Sequence, residues 1–167
     1  MKGYLLDNNA VHEWFCGHPN IVAHVQSVAD ETLLLTSAIT IGEITCGHMR
    51  SHSTNLQRRA EFEAFVAEKF PRPLRVSEHA AVIYGELKAE LFKRYPPQSG
   101  TRFVYECYDS LHGSKIGIDE NDLWIAAQAI ESNLVLVTGD RMRLIRTAAG
   151  EQLDCEDWRE PLAIPGG

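Results

Sequence analysis

Four acids stand where apolar runs end or helices begin. Asp7 directly follows YLL, Glu43 comes about two helical turns after LLLT, Asp122 heads NDLWIAAQAIES, and Asp140 follows LVLVTG. Unit charges ~4 Å apart repel by roughly 4 kcal/mol at an effective dielectric of 20, so carboxylates gathered in one place call for a positive partner between them. Oxygen ligands of this type suit Mg²⁺, which keeps several waters and is held by a few carboxylates together with substrate phosphate. No pair of histidines at i, i+4 flanks the acids, which disfavours nitrogen-ligated metals. Such a site activates water against a phosphodiester and stabilises the charge that develops on the phosphate.

Each acid also has a plainer role open to it. Asp7 and Asp140 could accept N–H bonds at a turn or a helix start. Thr40 and Glu43 have capping-box spacing, although a helix begun at Ala38 would enclose Thr40. Asn121 could cap a helix with Asp122 in its first turn. Only convergence of the four would favour the chemistry over the capping.

Convergence depends on the elements. Lys2–Leu6, Leu33–Thr36 and Leu134–Thr138 are short apolar runs without alternation, as expected of strands buried on both faces of a parallel sheet. The spacing of Ala80, Ile83, Tyr84, Leu87 and Leu91 predicts a helix from Ser77 to Tyr95, capped by Ser77 and closed by Pro96–Pro97. Further helices are expected over Ala38–Met49, Leu56–Phe70 and Asn121–Ser132. The stretch Pro96–Arg102 reads as a linker, after which Phe103, Cys107 and Leu111 at i, i+4 and i+8 predict a short helix. The order is that of an α/β fold. In open α/β sheets ligands bind outside the carboxyl ends of the strands, where Asp7, Glu43 and Asp140 would stand.

The chain has 167 residues, the size of one domain, with 44% hydrophobic and 23% charged residues. A single domain over residues 1–160 with a loose tail over 161–167 is expected. No apolar run approaches ~18 residues, and Asp7 interrupts the first run before a signal core forms, so a cytoplasmic chain with no membrane partner is expected. The four cysteines, Cys16, Cys46, Cys107 and Cys155, form no CxxC pair and read as reduced, mostly packed thiols. A formal charge of −7 is the wrong sign for holding nucleic acid by field alone, so such a role would need local basic patches or metal ions.

YLLDNNAVHEWF, TSAITIGEITCG, ENDLWIAAQAI and LVLVTGD, in this order and at these separations, resemble the PIN-domain ribonucleases, specifically the VapC-like toxins of bacterial toxin–antitoxin pairs. The likeness runs from Lys2 to about Arg146. It implies a three-layer α/β/α fold with a central parallel sheet, and a Mg²⁺-dependent (or Mn²⁺-dependent) endoribonuclease. Asp7, Glu43, Asp122 and Asp140 match the four acids of the family's motifs and so would be both catalytic residues and metal ligands. Asn9 and Thr138 would support them, and Asp119 stands within reach of Asp122 on one helical face. The resemblance further implies an RNA substrate, a homodimer and a cognate antitoxin. Residues 96–118 exceed what most relatives carry and read as an insertion.

Arg141 and Arg143 adjoin Asp140 and are the best placed of the basic residues to meet RNA phosphates. His12 and His48 read as ordinary structural histidines. Trp14, Phe15, Phe62, Phe65 and Phe70 read as core or partner-facing surface rather than as platforms for bases. Two alternatives stand beside the ribonuclease. Asn8, Arg143 and Leu144 depart from the family pattern, which leaves open a catalytically impaired PIN-like module that only binds RNA or protein. Another metal-dependent phosphoesterase would use a similar acid cluster.

Overall fold

The computed structural model describes residues 3–50, 56–97, 100–139 and 142–162; Asp140, Arg141 and most of the expected tail lie outside them. Within these bounds the chain forms β1 (Tyr4–Leu6), α1 (Asn8–Phe15), α2 (Pro19–Ser27), β2 (Leu34–Thr36), α3 (Ala38–Arg50), α4 (Leu56–Lys69) and α5 (Glu78–Arg94). These are followed by β3 (Tyr108–Asp109), β4 (Ser114–Lys115), α6 (Glu120–Glu131), β5 (Val135–Val137), α7 (Arg143–Ala149) and β6 (Cys155–Glu156).

Four of the strands make a parallel sheet in the order β2-β1-β5-β6, with Leu5 paired to Leu35 on one side and Leu136 on the other. Successive residues of a strand face opposite sides, and here the two sides carry separate cores. Leu5 and Leu136 pack with α5, α6 and α7, whereas Leu6 and Val137 pack with α1, α2, α4 and Trp158. Helices therefore cover both faces, which is the expected three-layer α/β/α arrangement. The chain leaves β1 toward β2 and leaves β5 toward β6, so the strand order reverses between β1 and β5. The crevice at that reversal is where ligands of open α/β sheets are held.

The long helix begins as its sequence predicts: the Ser77 hydroxyl accepts from Ala80 N at 3.0 Å. Thr40 is enclosed by α3 and fully buried, so it does not cap Glu43. Two expectations are corrected. The cap of α6 is Asp119, whose carboxylate accepts from Asn121 N at 2.9 Å, and Asn121 lies inside the helix. Phe103 to Leu111 is not a helix but one 3₁₀ turn, Val104–Glu106, leading into the antiparallel β3–β4 hairpin. The reason is burial: Val104 and Cys107 are the residues that enter the core, while Leu111 is 91% exposed at the hairpin tip. Of the cysteines, Cys107 is buried and Cys155 half-buried, but Cys16 and Cys46 are exposed, so only two are packed.

Candidate functional site

At the carboxyl edge of the sheet lies a cleft of about 320 Å³ lined by Asp7, Asn8, Asn9, Glu43, Gly117, Asp119, Asp122 and Ile125. Asp7 stands at the end of β1, where its N–H donates to the Val137 carbonyl across the β1/β5 junction at 3.1 Å. Its side chain is 6% exposed and caps α1, accepting from Ala10 N at 2.7 Å. The capping and the cleft-lining roles thus coexist in one carboxylate: the cap fixes its orientation, and the N-terminus of α1 favours its negative charge.

Glu43 reaches the cleft from α3 and Asp122 from the first turn of α6. Asn121, expected from the sequence only as a cap, instead connects the two helices, because its Nδ2 donates to Glu43 Oε1 at 3.1 Å. One face of α6 continues this attachment two turns on. The buried Gln128 accepts from the Ser37 hydroxyl at 2.5 Å and donates to the carbonyls of Leu74 and Arg75. The signal was present in the sequence as two amide side chains seven residues apart on a helix otherwise rich in alanine.

Burial is the largest influence on Glu43, and it raises the carboxyl pKa above its ordinary value; the Asn121 hydrogen bond opposes this and the nearby Asp119 charge adds to it. A raised native pKa contributes stability below the unfolded-state pKa that is lost as pH rises through the native one. At neutral pH the ionised Glu43 therefore works against the fold. Glu43→Gln, which keeps an acceptor for Asn121, is expected to raise the Tm at pH 7 in metal-free buffer by about 2 °C. The gain should fade as the pH falls through the Glu43 titration; thermal melts of both proteins across pH check this, and a lower Tm for the variant at pH 7 contradicts it.

Four carboxylates line the cleft, yet among the described residues no three histidines, cysteines or carboxylates close on one point. The side chains offer oxygen ligands that, as they stand, do not close around one point. That falls short of the closed four-ligand set of structural zinc and fits Mg²⁺, which binds through one or two carboxylates and keeps its waters. Asp140 and Arg141 are outside the described residues. Thr138 is buried, donating through its N–H to the Glu156 carbonyl at 3.0 Å. The Arg159 guanidinium donates to the Gly139 carbonyl and pairs with Asp157 at 2.8 Å, so the C-terminal segment holds the backbone at Gly139. Arg143 lines a separate hollow with Arg146, Thr147 and Gly150.

A second groove, about 470 Å³, adjoins the acid cleft and shares Asn8 and Glu43 with it. Its apolar wall includes Phe15, Ile44, Phe62, Met49 and Leu56, the last two each 71% exposed, and Arg58 and Arg59 also line it. The five aromatic residues noted in the sequence pack together here: Phe15 lies 4.8 Å from Phe62, and Trp14 meets Phe65 edge-on at 5.3 Å. Phe62 and Phe70 are buried core, the half-buried Trp14, Phe15 and Phe65 pack against them, and Phe15 and Phe62 line the groove. His12 and His48 lie on this groove and not in the acid cleft.

The model of the PIN domain family matches residues 4–150. No curated protein matches the chain. Among solved structures, VapBC2 from Rickettsia felis, bound to a DNA fragment from their promoter, is similar at 21% identity and a TM-score of 0.67, covering 93% of this chain and 98% of that one. VapBC-1 from nontypeable Haemophilus influenzae is similar at 24% identity and 0.67, covering 94% and 98%. VapBC-5 from Mycobacterium tuberculosis, a member of the VapBC family of toxin-antitoxin systems, is similar at 20% and 0.54, covering 93% and 98%. At these identities the likeness is one of fold.

Proposed function

We propose, from the premise that this chain belongs to the PIN domain family, that it is a Mg²⁺-dependent endoribonuclease and the toxin of a toxin–antitoxin pair. The observation that carries this reading is the arrival of Asp7, Glu43 and Asp122 from three separate elements in one cleft at the carboxyl edge of the parallel sheet. Likeness of fold to members of toxin–antitoxin systems supports the biological role.

Asp7, Glu43 and Asp122, with Asp140 next to Gly139 in the sequence, are the residues that would hold Mg²⁺, or Mn²⁺ in its place. Once bound, the ion supplies Lewis acidity, making water a stronger nucleophile and drawing off charge from the phosphate. The chain's own contribution is to prepare the ligands. Ala10 N orients Asp7, Asn121 orients Glu43, and Asp119 starts α6 so that Asp122 falls in its first turn. Burial of Glu43 makes its ionised form costly, and a divalent cation beside it offsets that cost. The apolar groove that shares Glu43 with the cleft is the place for an antitoxin segment, whose amphipathic helix would bury Met49 and Leu56 and whose end would reach the acids. A homodimer and a cytoplasmic location belong to the same reading; among the described residues no helix is long and apolar enough to cross a membrane.

Incubation with single-stranded RNA, single-stranded DNA and a small phosphate diester, each with Mg²⁺ and with excess chelator, tests the reading. RNA alone should be cut, and only with the metal present. Preferential cutting of DNA or the small ester points to a different phosphoesterase, and chelator-resistant RNA binding without cleavage points to a binding module.

A further inference from the structure

We propose that Phe103 and Tyr105, on the segment inserted between α5 and α6, form a stacking shelf for an unpaired RNA base beside the acid cleft; this rests on the ribonuclease reading. Phe103 is 50% exposed and Tyr105 45%, and their rings lie 5.7 Å apart at 28°, side by side in a near-parallel arrangement. The residue between them is fully buried. Val104 is anchored in the core, and its N–H donates to Glu120, which is itself held by Lys88 at 2.8 Å and by the Tyr84 hydroxyl at 2.5 Å. Two half-exposed rings on so fixed a mount lose little freedom on meeting a flat partner.

The backbone that carries the shelf touches the wall of the cleft. The Tyr105 carbonyl accepts from Gly117 N at 3.3 Å, and Gly117 is part of the cleft wall together with Asp119 and Asp122. On this proposal, a nucleic-acid strand whose phosphate sits among the acids would run past this segment and meet its rings. The surroundings favour a base over a second protein chain. Exposed Arg102 precedes the pair, and exposed Lys115 stands 3.8 Å from Glu106, so the rings are set in a charged surface. A stable protein interface buries ~800 Å² on each side around a centre depleted of charge, which two rings in such a setting do not offer. Every base presents a π-face, so stacking here would strengthen binding without strict sequence choice.

The test compares the wild type with the double variant Phe103→Leu and Tyr105→Leu, which keeps apolar bulk but removes both π-faces. Steady-state cleavage of a single-stranded RNA and of methyl p-nitrophenyl phosphate, a diester without a nucleobase, is measured with Mg²⁺, and Phe103→Tyr serves as the rescue variant. The expected result is a KM for RNA raised by about tenfold, with kcat and turnover of the base-free diester unchanged and with Phe103→Tyr close to wild type. An unchanged KM, or an equal loss on both substrates, overturns the shelf while the ribonuclease reading stands. A change of sedimentation mass in the double variant also overturns it, because the rings would then be a contact between copies. Wild-type protein that cuts no RNA with any divalent cation removes the ribonuclease reading itself, and the shelf with it.

Discussion

On the ribonuclease reading, Asp7→Asn is expected to lower metal-dependent RNA cleavage by about a thousandfold, with the Tm within about 2 °C of the wild type. The substitution separates the two duties of this side chain. Asparagine is as good a helix cap as aspartate, and its amide oxygen can keep the 2.7 Å bond from Ala10 N. What it lacks is the negative charge that a divalent cation requires beside Glu43 and Asp122. Loss of that charge also relieves repulsion among the cleft acids, so any small shift in Tm should be upward. Asp7→Ala would confound the experiment, because removing the cap itself costs about 1 kcal/mol. Single-turnover cleavage of end-labelled RNA over a range of Mg²⁺ concentrations, with thermal melts of the same samples, gives both readouts. Undiminished cleavage by Asp7→Asn would rule out the acid cleft as the catalytic site.

The second large effect concerns the framework beneath the cleft. Gln128→Leu is expected to destabilise the protein by about 3 kcal/mol, which in a domain of this size lowers the Tm by roughly 6–12 °C. Gln128 is 1% exposed and partners the buried Ser37 hydroxyl together with the part-buried carbonyls of Leu74 and Arg75. Leucine fills a similar volume, so the change creates little cavity. Its cost comes from leaving those groups without their partner, at ~1–3 kcal/mol for each that water does not reach. Ser37→Ala should cost less, since it leaves the Gln128 oxygen and Ile39 N unmet but keeps the Gln128 bonds to the Leu74 and Arg75 carbonyls. Urea unfolding of the three proteins measures the difference, and a change below about 1 kcal/mol for Gln128→Leu would contradict the account. Because α6 carries Asp122 and Asn121, the same knot holds the helix that orients Glu43.

The legible part of this protein was its local grammar. Brief apolar runs marked β1, β2 and β5 because a strand buried on both faces has no polar alternation to show. The apolar repeat with Ser77 before it and two prolines after it marked α5. The order of the acids along those elements was enough to suggest one cleft and a family. Less legible was the segment between α5 and α6, where Phe103, Cys107 and Leu111 have helical spacing but only Val104 and Cys107 find the core. Periodicity reports which side chains share a face, and it carries no information on whether that face meets anything.

Residue types and short-range spacing therefore determined that this chain builds a parallel α/β sheet with carboxylates at strand ends, since those choices are made within a few residues of backbone. Tertiary structure alone decided that Asn121 should support Glu43 across 78 residues of sequence, that Asp119 rather than Asn121 should cap α6, and that Phe103 and Tyr105 should leave their rings paired and half-exposed. Those outcomes depend on how two helical layers settle on the sheet. That docking is governed by the summed burial of Leu5, Leu6, Leu136 and Val137 on opposite faces, a quantity that no single segment of the sequence contains.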